Sequence, residues 1–99
     1  MTDRELLELA SKACGLEEAK LRIEFNQWNP LEDDGDALRL AVQLKLDVFF
    51  HPSSVEAHIA GGRIPPIHHI AQELYDTGPY AATRRAITRA AAEIGRSMK

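Results

Sequence analysis

Asp33, Asp34 and Asp36, spaced around Gly35, are a dense cluster of oxygen ligands. A hard divalent cation needs several such oxygens held by a turn. The D-D-G-D spacing departs from the calcium-loop pattern D-x-D-x-D-G, however. Carboxylates just ahead of an apolar helical run also accept its free N–H groups and oppose the positive end of its dipole. Capping accounts for these residues without a metal. His51, His58, His68 and His69 bring imidazoles, but none sits at an i, i+4 helical spacing or beside a second cysteine. On alternating strands His68 and His69 point to opposite faces, so at most one of them joins His58. Ser53 or Ser54 with a histidine and an aspartate supplies the residue types of a hydrolytic triad, without the G-x-S-x-G turn that exposes such a serine. Cys14 falls on the apolar side of its segment and reads as a small core residue rather than a nucleophile. No catalytic residue, no metal site and no cofactor is expected.

Binding chemistry is represented by two aromatics and a set of guanidiniums. Arg84, Arg85, Arg89 and Arg96 lie within one segment and could grip phosphates. The same residues fall opposite an apolar stripe, as a solvated helix face would, and acids from the first half of the chain could pair with them. Trp28 and Tyr80 offer flat surfaces for a base or a small ligand, although a Trp ahead of Asn29-Pro30 serves equally as a lid on a core. The weak candidate site is therefore Trp28, Asn29, Tyr80, Arg85 and Arg89, directed at a nucleotide-like or other small anion. Its weak point is the neighbouring acid cluster, which repels anions.

The elements that must carry these groups follow from patterning. The chain has 99 residues, one domain's worth, with 44% hydrophobic and 27% charged residues and a net charge of -3. That balance argues against general nucleic-acid binding. No apolar run approaches the ~18 residues of a spanning helix. The acid-bearing start MTDRELLELA does not read as a signal peptide. The lone cysteine fits an intracellular setting, taken as the cytoplasm. Charge is uneven. Asp3, Glu5, Glu8, Glu17, Glu18, Glu24, Glu32, Asp33, Asp34 and Asp36 face only Arg4, Lys12, Lys20 and Arg22 over residues 1–36, whereas Glu93 is the one acid against five bases over 78–99. Such asymmetry steers a partner or lets one end of the chain pack beside the other.

Thr2 and Glu5 form a capping box for a helix over about 3–14, with Leu6, Leu9, Ala10, Ala13 and Cys14 as its stripe and Gly15 as its stop. Lys20–Asn26 alternates apolar and polar residues and predicts a strand, ended by Pro30. From Ala37 a helical pattern with a broad apolar arc (Leu38, Ala41 and Val42, adjoined by Ala37, Leu40 and Leu44) predicts a central helix buried on more than one flank. Short strands are expected at Val48–Phe50 and Val55–Ile59. Gly61-Gly62 signals a hairpin, and Pro65-Pro66 an edge or bent return. Ile67–Tyr75 fits both a helix and a strand. Strand is preferred because it completes a meander. Pro79 opens a last, alanine-rich helix running to about Ser97, with Tyr80, Thr83, Ile87, Ala91, Ile94 and Met98 on one stripe.

Two blocks, WNPLEDDGDALRLAVQLKL and PYAATRRAITRAAAEIGRSM, cover about 39 residues. They resemble segments of small phage and prophage proteins described as a phage alpha-beta-alpha sandwich domain. Asp47–Tyr75 carries no such likeness. The resemblance implies a phage or prophage origin and a layered α/β fold, and implies no activity.

The expected architecture is a single α+β domain over residues 1–99. It is a layered sandwich with a mainly antiparallel sheet of about four strands flanked by three helices, in the order α-β-α-β-β-β-α. The expected role is that of a non-enzymatic accessory protein acting through a protein partner, a second copy of the chain included. A small-molecule or anion-binding protein is the alternative.

Overall fold

The computed structural model describes residues 1–59 and 70–98. Four helices and a three-stranded antiparallel sheet follow in the order α1 (Asp3–Cys14), α2 (Ala19–Glu24), α3 (Asp34–Leu44), β1 (Leu46–Phe50), β2 (Ser54–Ile59), β3 (Ile70–Leu74), a 3-10 turn (Tyr75–Thr77) and α4 (Pro79–Ser97). The order is thus α-α-α-β-β-β-α. The α+β class and the antiparallel sheet stand. The count of about four strands and three helices becomes, among the described residues, three strands and four helices.

Lys20–Asn26 accounts for that difference. The segment folds as the short helix α2, not as a strand. Ala19, Lys20, Leu21, Arg22 and Glu24 are all good helix formers. Asn26 then takes the left-handed conformation at φ 55°. Asn26 N–H donates to Ile23 O (3.1 Å) and Gln27 N–H to Arg22 O (2.7 Å). These are the two bonds of a Schellman stop. The alternation of Leu21, Ile23 and Phe25 never engages a sheet, and no residue of α2 is buried.

The other helices start on the expected signals, and α1 also stops on one. Thr2 Oγ1 accepts from Glu5 N–H at 3.1 Å and Glu5 Oε1 from Thr2 N–H at 3.0 Å. Gly15, at φ 67°, closes α1. Asp33 Oδ2 accepts from Asp36 N–H at 2.7 Å, so α3 begins at Asp34, three residues ahead of Ala37. Pro79 opens α4.

The sheet order is β1-β2-β3, with Val48, Ala57 and Ala71 in register across it. Val55, Ala57 and Ala71 pack on Ala82, Ala86 and Ala90 of α4. Ile87 and Ala91, round the same helix, pack on Ala10 of α1 and on Ala37, Leu40 and Ala41 of α3. The central helix is therefore α4, and the expectation that gave this place to the helix beginning near Ala37 is corrected. Small side chains let α4 take a sheet on one side and two helices on the other. On α3 only part of the apolar arc is used, and Leu38 and Val42 stay 63% and 65% exposed.

α1 and α4 run parallel. Arg85 pairs with Asp3 (3.0 Å), Gly95 abuts Leu9, and Lys12 Nζ donates to Met98 O (3.0 Å). A Cβ on Gly95 would stand 1.9 Å from Leu9 O. Glycine inside a helix usually costs about 1 kcal/mol against alanine. Here its missing side chain is what lets the two backbones touch.

By the strand alternation, Phe49, Glu56, His58 and Gln72 lie on the sheet face away from α4. No element among the described residues packs on that face. The Gly61-Gly62 hairpin, the Pro65-Pro66 return and the start of the Ile67–Tyr75 segment lie outside the described residues. Of the remainder, Ile70–Leu74 is the strand β3 and Tyr75 opens the 3-10 turn.

Candidate functional site

The acidic turn ahead of α3 works as a brace. Asn29 N–H donates to Asp36 Oδ2 (2.9 Å), and Asn29 Oδ1 accepts from Leu31 N–H (3.0 Å). Arg39 pairs with Asp36 Oδ1 at 2.9 Å and lies 4.0 Å from Asp33. Pro30 is fully buried within this loop. Trp28 packs as a partly buried lid on the cluster of Ala10, Leu40 and Ile87. It also lines a cleft of about 570 Å³ that reaches Cys14, Arg22, Gln27 and Gln43. Burial pushes the Cys14 thiol up from its ordinary range.

The arginines of α4 fasten the helix to its neighbours. Arg84 donates to Leu31 O (2.9 Å) and Asp34 (2.7 Å), and Arg85 pairs with Asp3. Arg89 donates to Gln72 O (3.0 Å) and pairs with Glu73. Two acids of the N-terminal region therefore meet two bases of α4 inside one molecule, which is the packing use of the charge asymmetry. Arg85 and Arg89 come together beside Glu73, and Arg85 lines a cleft of about 650 Å³ that also holds Asp3, Glu32, Glu73 and Asp76. Trp28 and Asn29 sit on a separate loop, and Tyr80 stands 74% exposed at the start of α4. Trp28 and Tyr80 form no ring pair. Among the described residues the close ring contact is Phe49 with His58, at 4.9 Å and 77°.

The second polar cluster, on the bare sheet face, was legible only as separate strand histidines. Glu56 lies between two imidazoles, 2.8 Å from His58 Nε2 and 3.4 Å from His51 Nε2. Glu56 and His58 share a face by the period-2 rule. His51 joins them because β1 and β2 pair with Phe49 opposite Glu56, a register that no single strand reveals. Among the described residues no three His, Cys, Asp or Glu side chains are arranged to hold a metal ion.

A third feature is apolar. Gln43 Nε2 reaches Cys14 O at 2.7 Å, so that flank of α3 faces α1. At ~100° per residue Leu38 and Val42 lie on the other flank. β1 follows through Lys45, in the left-handed conformation, and runs back along α3, since Leu46 and Val48 pack on the cluster that holds Ala37 and Leu40. Phe49 and Phe50 at the end of β1 are 48% and 66% exposed. The edge strand and the α3 flank thus present four large apolar side chains to solvent. Sequence reading placed Leu38 and Val42 in the core, because periodicity shows the width of an arc and not how much of it finds a partner.

No helix among the described residues is long and apolar enough to cross a membrane. No family model, no curated protein and no solved structure matches the chain.

Proposed function

We propose that the chain is a non-enzymatic accessory protein, of phage or prophage origin and at work in the host cytoplasm, that acts by binding another polypeptide. The observation that carries this reading is the set of exposed large side chains Leu38, Val42 and Phe50 on the side of α3 and α4, with Phe49 exposed on the other face of the same edge strand. Single exposed apolar residues are ordinary on any surface, whereas a grouped set marks an interaction site. The phage origin rests on the resemblance of the two blocks around α3 and α4.

A photo-crosslinking residue placed at position 38 or 50 in cells, with Glu8 and Glu93 as control positions, tests this. A discrete product at 38 or 50 and none at the controls is the expected result. No product at 38 or 50 overturns the reading.

The alternative, a small-molecule or nucleotide-like anion held by Trp28, Asn29, Tyr80, Arg85 and Arg89, has less support. Arg85 and Arg89 already face carboxylates, and the cleft lined by Arg85 is walled by four acids. A thermal-shift series with nucleotides at millimolar concentration decides it, because a ligand specific for the folded state raises the melting temperature by mass action.

A further inference from the structure

We propose that β1 is the seat of a two-fold interface, in which the strand pairs antiparallel with β1 of a second copy of this chain about Val48. The inference rests on the protein-binding reading above and names its partner.

β1 is an edge strand, paired with β2 on one side only among the described residues. His51 N–H donates to Ser54 O at 2.8 Å. In an antiparallel ladder the bonding direction alternates along the strand, so Phe49 and Asp47 also bond toward β2. The N–H and C=O groups of Leu46, Val48 and Phe50 then point away from the sheet. Edge strands are usually protected by proline, lysine, a bulge or a covering element. The run Leu46-Asp47-Val48-Phe49-Phe50 contains neither proline nor lysine and pairs residue for residue with β2, without a bulge.

The edge is self-complementary. A two-fold axis at Val48 sets Val48 against Val48 of the partner subunit, and Leu46 against Phe50 of the partner subunit. Each outward N–H and C=O of these three residues then finds a partner. Phe50 meets Leu46 on the sheet face that carries α4. The same register sets Asp47 opposite Phe49 of the partner subunit, whereas a parallel, in-register pairing would place the two Asp47 carboxylates together. β1 and α3 run back along one another, so the axis also brings the acidic first turn of α3 (Asp33, Asp34, Asp36) toward Lys45 of the partner subunit. Opposite charges and opposed helix dipoles meet there.

Apolar surface flanks the edge on both faces, with Leu38, Val42 and Phe50 on the side of α3 and α4 and Phe49 on the other, at 48–66% exposure.

The test combines mass with register. Light scattering on the purified protein from micromolar to millimolar concentration is expected to show a dimer. Val48→Pro removes an outward N–H and leaves the β2 ladder its donors. That variant is expected to be monomeric with its circular dichroism retained, and Val42→Lys gives a second, backbone-neutral break. In a Cys14→Ser background, Val48→Cys is expected to form a disulfide dimer at least ~10-fold faster than Glu56→Cys, because directly opposed strand residues come within bridging distance. A wild type that stays monomeric at millimolar concentration overturns the proposal, as does a dimer that persists in folded Val42→Lys or shows no preference for Val48→Cys. The two readings fail separately. A crosslink at position 50 to a different polypeptide, with a monomer in light scattering, refutes the two-fold and leaves the protein-binding reading standing.

Discussion

The seam between α1 and α4 and the flank formed by α3 and β1 use side chains in opposite ways. At the seam the residues of closest approach are small. Ala10, Ala91 and Gly95 let the helices approach until backbone meets backbone, and a methyl group on Gly95 has nowhere to go. On the flank the residues are large, and Leu38, Val42 and Phe50 remain mostly in water. A chain that buries its alanines and exposes its phenylalanines obtains cohesion from close approach rather than from bulky packing. Its large side chains are left free for a second surface.

Substitutions can break or sharpen this contrast. The largest effect is expected at Gly95→Ala. Helix propensity alone would favour the change by about 1 kcal/mol. The clash with Leu9 O forces the backbones apart, and overpacking of this kind costs about 1–3 kcal/mol or more. A urea midpoint below wild type is the expected result, and a midpoint at or above it would show that the seam has slack. Next comes Arg89→Met, which leaves the partly buried Glu73 carboxylate without its guanidinium. About 1–2 kcal/mol of stability should be lost in the same titration.

Thr2→Ala removes the side-chain cap of α1 and should cost about 1 kcal/mol. Glu5 adds a pH signature here. The Thr2 N–H first, and the Thr2 hydroxyl second, hold its carboxyl below the usual value of 4.5. A carboxyl lowered in the folded state stabilises above its unfolded pKa, and that contribution is lost as pH falls through the folded value. The stability gap between wild type and Glu5→Gln should therefore be open at pH 6–7 and close below about pH 4.5. The smallest effect is expected on the flank. Leu38→Ser and Val42→Ser, measured on dilute protein, should stay within about 0.5 kcal/mol of wild type. A loss of 2 kcal/mol or more, the range for emptying a core site, would mean that the flank is core after all.

Local chemistry explains which of these features could be read in advance. The capping box, the Gly15 stop, Pro79 at the first turn of α4 and the alternation of Val55–Ile59 each depend on neighbours in sequence, and each appears where expected. Lys20–Asn26 failed because a seven-residue alternation is compatible with two turns of helix, and Asn26, which ends α2, carries a weaker signal than a glycine would. The place of α4 at the centre was hidden for a different reason. Alanines score as propensity in a sequence, and their value as points of close approach exists only once a sheet and two helices converge on them. Of the candidate residues, Trp28 showed its lid role in the pairing with Pro30. The partners of Arg84, Arg85 and Arg89 lie 16–82 residues away and could not be assigned from spacing.

The parallel seam has a consequence for the order in which the molecule assembles. Asp3 meets Arg85 at a sequence separation of 82, and Lys12 meets Met98 at a separation of 86. The first helix thus has no long partner until the last one exists, because the whole sheet is threaded between them. Contacts of such separation close late and slow the search. Until then the buried face of α1 (Leu6, Leu7, Ala10 and Ser11) has only the short helix α2 and one flank of α3 to rest on. A chain arrested before α4 would hold a three-stranded sheet with both faces wet, and a refolding trace is expected to show α1 gaining protection from hydrogen exchange together with α4 and not before it.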